Sequence, residues 1–507
     1  MNIKSLRIAF IGWARLQKQE QEGSGYNLVA SELALGLTQA GHQLFYLNSG
    51  RNYSLIPKIY IGKIQEWKGI QCYSLFNSPN FSPGRLNFGN LKSELSSCQM
   101  NQLVIRWLIQ LKIDIVHIHS QEGYPLDLIP NIRKNTGLPI IVTPHDYWYI
   151  CPQVNLLYQE LEICQDYQGG LKCLTCVSKN NLWNTKLKRL SVNLIENYGG
   201  NKLLAIMSYI YNKLIGKKKE KNYSDHYLDT PIYPLNQNQI FLDTQSIPLI
   251  VNNDYGKRRR LGIEALNSAT LVTPPSQFLS DVHKSMGLQS NKIELIRLGL
   301  SHLDQISQGV KNSPYYTIQP WNSKSSNRPL RFVFLGTTST TKGLSIFTQA
   351  IINLPTEIRQ RCHFIIRASG KTDFFRQLIG YYPEVSFASR YRVSDLPTII
   401  HEYDIAIIPH VWFENSPITL LENLHAGKFT IASSLGGVLE WIKPPQNGLL
   451  FEAGNSISLA ACIERVLTGE VYIPSPNEVH QVSELQSCEN YINENISIYQ
   501  NSIKIQK

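Results

Sequence analysis

Apolar and polar positions along the chain alternate between short apolar runs and longer segments of helical period. Leu6–Ile11 is a strand-length apolar run stopping at Gly12. Tyr26–Gln39 then places Leu28, Val29, Leu33, Leu35 and Leu37 on a helical pattern before Gly41. That order predicts strand, loop, helix and turn. The rhythm returns with predicted strands at Leu44–Leu47, Ile113–His119 and Pro139–Thr143, the last two flanking a helix near Leu126–Lys134. Strands alternating with helices predict a parallel, doubly wound sheet.

A second series starts after 312–328, a stretch rich in Ser, Asn and Pro with little periodicity, which reads as an interdomain linker. Its predicted strands are Arg331–Leu335, His363–Ile366, Val385–Phe387, Ile405–Ile408, Thr430–Ala432 and Leu449–Phe451, with helices at Ser394–His401 and Pro417–His425. The expected architecture is α/β, with two Rossmann-like lobes facing a central cleft: 1–311 first, 329–470 second, and a tail over 471–507. Segment 186–260 shows no clean period and reads as an insertion in the first lobe. In such sheets ligands sit beyond the carboxyl ends of the strands, so the chemistry is sought in the loops that follow them.

The length supports this division, since single cores stop growing at roughly 250 to 300 residues and the chain has 507. With 43% hydrophobic and 17% charged residues the composition is globular. No apolar stretch reaches the roughly 18 to 20 residues needed to span a bilayer. The first residues lack the apolar core and cleavage site of a signal peptide, so a cytoplasmic chain is expected. A net charge of +11 favours polyanions in general without selecting one.

The most informative segment is Asp404–Phe451. Glu414 and Glu422 are separated by seven residues, Ser416 is a good N-cap, and Pro417 suits a first helical position. The amides of Ile418 and Thr419 would then face an anion. Glu422 lies six residues past the cap, about 9 Å along the axis. One carboxylate flanks each end of a diphosphate-sized gap, a layout suited to a nucleotide sugar whose hydroxyls donate to ionised carboxylates.

This segment resembles the donor-site signature of glycosyltransferase family 4, the retaining GT-B family with an E-x7-E motif. The resemblance rests on Asp404, Pro409, Glu414, Glu422, Gly427, Gly436-Gly437, Glu440 and Asn447-Gly448, with Asn423 where the family usually has Ala. It implies that Glu414 holds the transferred sugar and Glu422 the ribose. Phe334–Leu344 resembles the family's diphosphate-gripping loop: Gly336 and Lys342 match, but Thr337 stands at the arginine position. Either Arg331 or Arg367 replaces that arginine, or the clamp is weaker. Gly23-Ser24-Gly25 resembles the family's glycine loop, and Ala40-Gly41-His42, Asp114–His119, Thr143–Trp148 and Arg297-Leu298-Gly299 resemble further stretches. His145 matches the histidine facing the reacting sugar. The implied catalytic set is Glu414, Lys342 and His145. The implied donor set is Gly25, Gly336, Ile418, Thr419, Glu422, Gly436 and Gly437. No motif places a second carboxylate opposite Glu414, which agrees with the family's same-face displacement, in which the leaving phosphate helps deprotonate the acceptor.

Two features stand apart. Cys151, Cys164, Cys173 and Cys176 end in C-x-x-C, half of a common tetrathiolate zinc site. Structural zinc, reduced thiols and a redox or disulfide pair are the alternatives, and in each the loop is a staple. Leu203–Ile215 runs into Lys217-Lys218-Lys219, which would suit an anionic leaflet and a lipid-linked acceptor, or else a helix packed on the lobe. Lys257–Arg260 is a second basic run, but no nucleic-acid motif accompanies it and none is expected as a partner. The expected activity is transfer of a sugar from a nucleotide diphosphate to a glycan or lipid-linked acceptor, with no cofactor in catalysis. A sugar-nucleotide 2-epimerase and a non-catalytic donor-binding subunit are the rivals.

Overall fold

The computed structural model describes residues 5–16, 25–83, 91–160, 162–177, 182–198 and 253–504. The first sheet is built from β1 (Arg7–Gly12), β2 (Gln43–Ser49), β3 (Tyr60–Trp67), β4 (Ile70–Phe76), β5 (Ile115–Ile118), β6 (Ile140–Val142) and β9 (Leu271–Val272). Its seven strands lie in the order β3-β4-β2-β1-β5-β6-β9. All neighbours are parallel except β3 against β4. The central strands β1, β2 and β5 are almost wholly buried, as a sheet covered on both faces requires.

A two-stranded ribbon, β7 (Leu157–Tyr158) with β8 (Glu162–Ile163), lies in the cysteine loop. The second sheet consists of β10 (Leu330–Thr337), β11 (Cys362–Ser369), β12 (Val385–Phe387), β13 (Ile405–Ile408), β14 (Phe429–Ser433) and β15 (Gly448–Phe451). It is parallel throughout, in the order β12-β11-β10-β13-β14-β15. The pairing β3–β4 and the short β9 are not visible in the apolar pattern. β3 is an edge strand with most residues partly or fully exposed, so it lacks the continuous apolar run that marks a buried parallel strand.

The expected linker is a run of turns stitched to the second lobe. Trp321 is buried among that lobe's apolar residues, and its Nε1 donates to Arg328 O at 3.0 Å. Arg328 and Arg331 both grip the buried Asp404, at 2.6 and 2.8 Å. Residues 471–504 do not form a tail. They contain helices Pro476–Val482 and Cys488–Lys504, and the latter lies back on the first lobe. Two glycines permit that approach: a Cβ on Gly36 would meet Ile492 Cδ1 at 2.2 Å, and one on Gly299 would meet Ser487 O at 2.2 Å. One apolar core consequently runs from the helix Gly25–Gln39 through Leu420, Leu421 and Leu424 of the second lobe to Tyr499.

The region read as an insertion divides. Helix Leu182–Tyr198 is tied to the first lobe, with Arg189 Nη2 donating to Ser82 O at 2.7 Å. Helix Asp254–Ser268 is integral to the lobe. The basic run Lys257–Arg260 is accordingly not a surface patch: Arg258 is buried with its Nε 2.5 Å from Glu94 Oε1, and buried Arg259 donates to Ile150 O at 2.9 Å. Leu203–Ile215, Lys217–Lys219 and Gly23-Ser24 lie outside the described residues. Among the described residues no helix is long and apolar enough to cross a membrane.

Asp404 is the electrostatic anchor of the second sheet. Burial opposes its charge, yet the hydrogen bonds from Arg331 and Arg328 hold its carboxyl below the ordinary value. That stability is present above about pH 4 and fades as pH falls through the depressed folded value. Asp404→Ala should destabilise the second lobe by about 2 to 3 kcal/mol, the lower end for a buried pair because both arginines are partly exposed. Urea unfolding monitored by Trp fluorescence at pH 7 checks this, and an unchanged midpoint would remove Asp404 as the anchor.

Candidate active site

Each sheet reverses its strand order once, between β1 and β5 in the first and between β10 and β13 in the second. The loops leaving such a switch point open a crevice beyond the carboxyl ends of the strands. The chain after β1 leads into the helix beginning at Gly25, the turn after β10 carries Lys342, and the loop after β13 carries Glu414; His145 follows β6. A Cβ placed on Gly25 would stand 3.2 Å from Ile418 Cδ1. Gly25 and Ile418 are the first residues of their helices, so two helix N-termini meet between the lobes.

The second of these helices is Ile418–His425, and its first intrahelical-type bond runs from Leu420 N–H to Pro417 O. No described acceptor takes the amides of Ile418 and Thr419, as is usual for the first residues of a helix. Ser416 does not cap the helix. Pro417 occupies the cap position with extended backbone, which puts Ser416 one residue too far upstream, and its buried Oγ has no partner.

Glu414 is 7% exposed, and one of its oxygens gathers three groups. Oε1 receives Lys342 Nζ at 2.5 Å and Trp412 Nε1 at 2.8 Å, with His410 Nδ1 at 3.1 Å. No described donor meets Oε2. Burial works against the charge, but the Lys342 ammonium overrides it and holds the carboxyl below its ordinary value. His410 is pushed down to about 3 by burial and by Lys342, so it stands neutral. Lys342 is fixed by Gly343, whose φ is +70°. A Cβ there would lie 1.7 Å from Pro409 O, so only glycine lets the turn after β10 touch the loop after β13.

The Gly436-Gly437 pair shapes the same loop. Gly437 N–H donates to Glu414 O at 2.7 Å, and Cβ atoms on the two glycines would come within 2.6 Å of Glu414 O and 1.7 Å of Asn415 O. At Gly336 a Cβ would stand 3.2 Å from Phe334 Cζ, and 4.0 Å from Lys342 Cβ, an ordinary contact. Neither arginine named as a substitute at Thr337 can act there. Arg331 opens β10, roughly 20 Å along the strand from its end, and is committed to Asp404. Arg367 is paired with Glu402 at 2.5 Å.

Residues outside the implied catalytic and donor sets join the lobes. Asn415 Nδ2 donates to His145 O at 3.1 Å, and its Oδ1 accepts from Ser276 Oγ at 2.7 Å. Tyr147 OH donates to Phe413 O at 3.0 Å. Glu440 accepts from the amides of Gln277 and Phe278 at 3.0 and 2.7 Å and pairs with Arg297 at 2.6 Å. The unusual Asn423 ties a buried hydroxyl to its own helix. Its Oδ1 accepts from the buried Tyr403 OH at 2.6 Å, and its Nδ2 donates to Thr419 O at 2.7 Å. An amide side chain in a motif where alanine is usual was the available signal.

His145 belongs to a stack of three imidazoles. His117 and His119 rings lie 4.1 Å apart, and His119 Nδ1 is 3.1 Å from His145 Nε2. His119 Nε2 is buried without a partner. Orphaned buried N–H groups are rarer than orphaned acceptors, so the proton belongs on His119 Nδ1, donating to His145 Nε2. That leaves the proton of His145 on Nδ1. His145 is half-buried at the cleft yet enclosed enough that burial pushes it down to about 3, the same value as His117; His119 falls further, from burial and then its two neighbours.

The four candidate cysteines are placed near one another, without one shared ion position among the described residues. All four are free thiols, and no group of three His, Cys, Asp or Glu side chains that could hold a metal ion exists among the described residues. They do lie within electrostatic reach, since burial first and Cys151 next push Cys164 and Cys173 up to about 11 and about 12. The Cys164 and Cys176 thiols, however, turn to separate carbonyls, Asp166 O at 3.7 Å and Leu157 O at 3.6 Å.

Comparison with known proteins agrees with this geometry. Residues 329–469 match the family model of the group 1 glycosyl transferases. The second lobe carries a group 1 glycosyltransferase domain. An uncharacterized glycosyltransferase of Methanocaldococcus jannaschii, MJ1607, is 28% identical over 174 residues, 33% of this chain; the match spans 44% of that relative. The whole fold is GT-B. Sucrose-phosphate synthase from Thermosynechococcus elongatus superposes with a TM-score of 0.58 at 12% identity, over 99% of this chain and 100% of that one. Anabaena HepE in complex with UDP and glucose gives 0.54 at 14%, over 98% and 100%. The lipopolysaccharide outer core galactosyltransferase WaaB gives 0.55 at 14%, over 98% and 100%.

Neutral buried histidines make acid the weak side of this domain. A histidine depressed from 6.5 to about 3 binds its proton only in the unfolded chain between those values. Stability is therefore full above pH 6.5 and falls by about 1.4 kcal/mol per pH unit per such histidine below it. Urea midpoints at pH 7, 6 and 5 should drop steeply, and His117→Asn should flatten the slope; equal slopes would mean the stack is charged in the folded protein.

Proposed function

We propose that the chain is a retaining glycosyltransferase of the family 4 type, moving a sugar from a nucleotide-diphosphate donor to a hydroxyl of a glycan or lipid-linked acceptor. The observation that carries this reading is the meeting, at the switch points of both sheets, of Glu414, Lys342 and the free amides of helix Ile418–His425 with Gly25 across the cleft. HepE, bound to UDP and glucose on the same fold, supports a nucleotide-sugar donor. Work on cell-surface polysaccharide or glycolipid at the inner membrane face suits this chemistry.

The residues divide their roles by charge. The diphosphate takes the amides of Ile418 and Thr419 and one or more N–H groups of Lys342, which stabilise the negative charge that grows as the glycosyl bond breaks. Glu414 is held ionised by Lys342, and its Oε2 accepts hydroxyls of the transferred sugar. Glu422 accepts from the ribose. His145, neutral and carrying its proton on Nδ1, donates a hydrogen bond and does not act as an acid. Departure of the nucleotide phosphate leaves an anionic oxygen on the face where the acceptor enters, and that oxygen takes the acceptor's proton. With threonine at position 337 the clamp on the diphosphate has one cation fewer than is usual.

Glu414→Gln and Lys342→Ala should each lower kcat at saturating donor by about a hundredfold or more, with circular dichroism and Tm showing a folded protein. Nucleotide release measured against a panel of UDP-, GDP- and ADP-sugars and acceptors gives the readout. Full activity in both variants overturns the site. An isomerised donor formed without acceptor points instead to epimerisation.

A further inference from the structure

Glu422 sits in a clamp that no donor-site motif contains. His302 is the second residue of helix Ser301–Lys311, 7% exposed, and lies between two carboxylates from different lobes. Its Nδ1 is 3.3 Å from Glu32 Oε1 on the helix Gly25–Gln39, and its Nε2 is 3.4 Å from Glu422 Oε1 on the helix Ile418–His425. The first contact is a hydrogen bond; the second is close enough for an ion pair but not aligned as a hydrogen bond. Glu32 is itself immobilised, its Oε2 accepting from Ser301 N at 2.5 Å and Ser301 Oγ at 2.9 Å.

We infer that His302 is the positioning residue of the donor site: braced on Glu32, it holds the Glu422 carboxylate aimed, so that Glu422 can accept the hydroxyls of a nucleoside diphosphate's ribose. The inference rests on the proposed donor reading. His302 Nε2 stands against one oxygen of the buried Glu422 carboxylate, which fixes the direction of the other. The bracing residue comes from the helix whose N-terminus meets Ile418. The two donor-facing helices are thereby linked behind the cleft as well as across it.

The electrostatics around His302 are consistent. Burial alone would strip its proton, but the two carboxylates reverse this and push it up to about 9. Other titratable groups near the clamp are Asp304 and Lys311 on its own helix, His425 on the Glu422 helix, Cys488 on the C-terminal helix, and Tyr391 and Tyr403 beside Glu422. His425, pushed down to about 3 by burial and then His480, is neutral throughout the window, and Cys488, pushed up to about 11, titrates above it. Lys428, lowered to about 8 by burial, bonds to Tyr403 O and remains in the variant below, which separates its effect.

The test is His302→Gln in the full chain, with donor KM and kcat measured from pH 7 to 10 and binding of UDP, GDP and ADP by calorimetry. The expected result is a donor KM raised about tenfold at pH 7.5 with kcat within about twofold. The wild-type KM should climb as pH passes about 9, where His302 loses its proton, and that climb should be missing from the variant. A variant with wild-type donor KM, or one that keeps the alkaline climb, overturns the inference while leaving the donor reading intact. A wild-type protein that binds none of the three nucleotides overturns the donor reading and the inference with it. Should His302→Gln not fold, Glu32→Gln replaces it. It removes the brace from outside the donor cleft and should raise KM and move the alkaline climb to lower pH; no change in either would count against the clamp.

Discussion

The structure depends on how the loop after β13 is held down. Glu414 is a buried carboxylate on a segment without regular structure, and such a segment keeps one shape only when its backbone groups are paired. Here Gly437 N–H takes the Glu414 carbonyl, while the neighbouring Asn415 side chain reaches the His145 carbonyl in the other lobe. The glycines at 436 and 437 matter because any side chain there would occupy the space of that backbone. If the loop lifted, Glu414 would lose its lysine, and the two lobes would lose the contact nearest the cleft.

The charges are arranged around that loop. Lys342, Trp412 and His410 converge on one oxygen of Glu414, which leaves the other unclaimed by described residues. Lys342 reaches it because Gly343 lets the two loops touch. The histidines on the first-lobe side are kept neutral by burial, and the cation against Glu414 is the Lys342 ammonium. The site therefore combines a charge pair with a neutral donor and free helix amides, the features that in the proposed function stabilise a departing diphosphate. Farther back, Glu440 with Arg297 and Glu32 with His302 repeat the device of a charged group joining elements from distant parts of the sequence.

Much of this is legible in the sequence because it depends on local pattern. Six apolar runs in the second half mark six strands, since a strand buried on both faces must be apolar along its length. The spacing of Glu414, Pro417 and Glu422 indicates a loop carboxylate, a helix start and a carboxylate on the following turn. β3 is not legible, because an exposed edge strand needs no apolar run. The C-terminal helix reads as a tail because its fit rests on small residues far away, Gly36 and Gly299. The burial within the basic run at 257–260 is not legible, because sequence cannot show that Glu94, more than 160 residues away, receives Arg258.

The sequence by itself determined the two-sheet α/β architecture and the helix start near Pro417, which follow from periodicity and spacing within short windows, while the donor signature was legible only as a family resemblance. Only the tertiary structure decided which atoms meet. It set Lys342 on Glu414, Asn415 on His145, His302 between Glu32 and Glu422, and four cysteines near one another without a shared ion position among the described residues. The reason is that local pattern specifies which face of an element is apolar. Contacts between polar side chains of different elements depend on the distances and angles at which those elements pack.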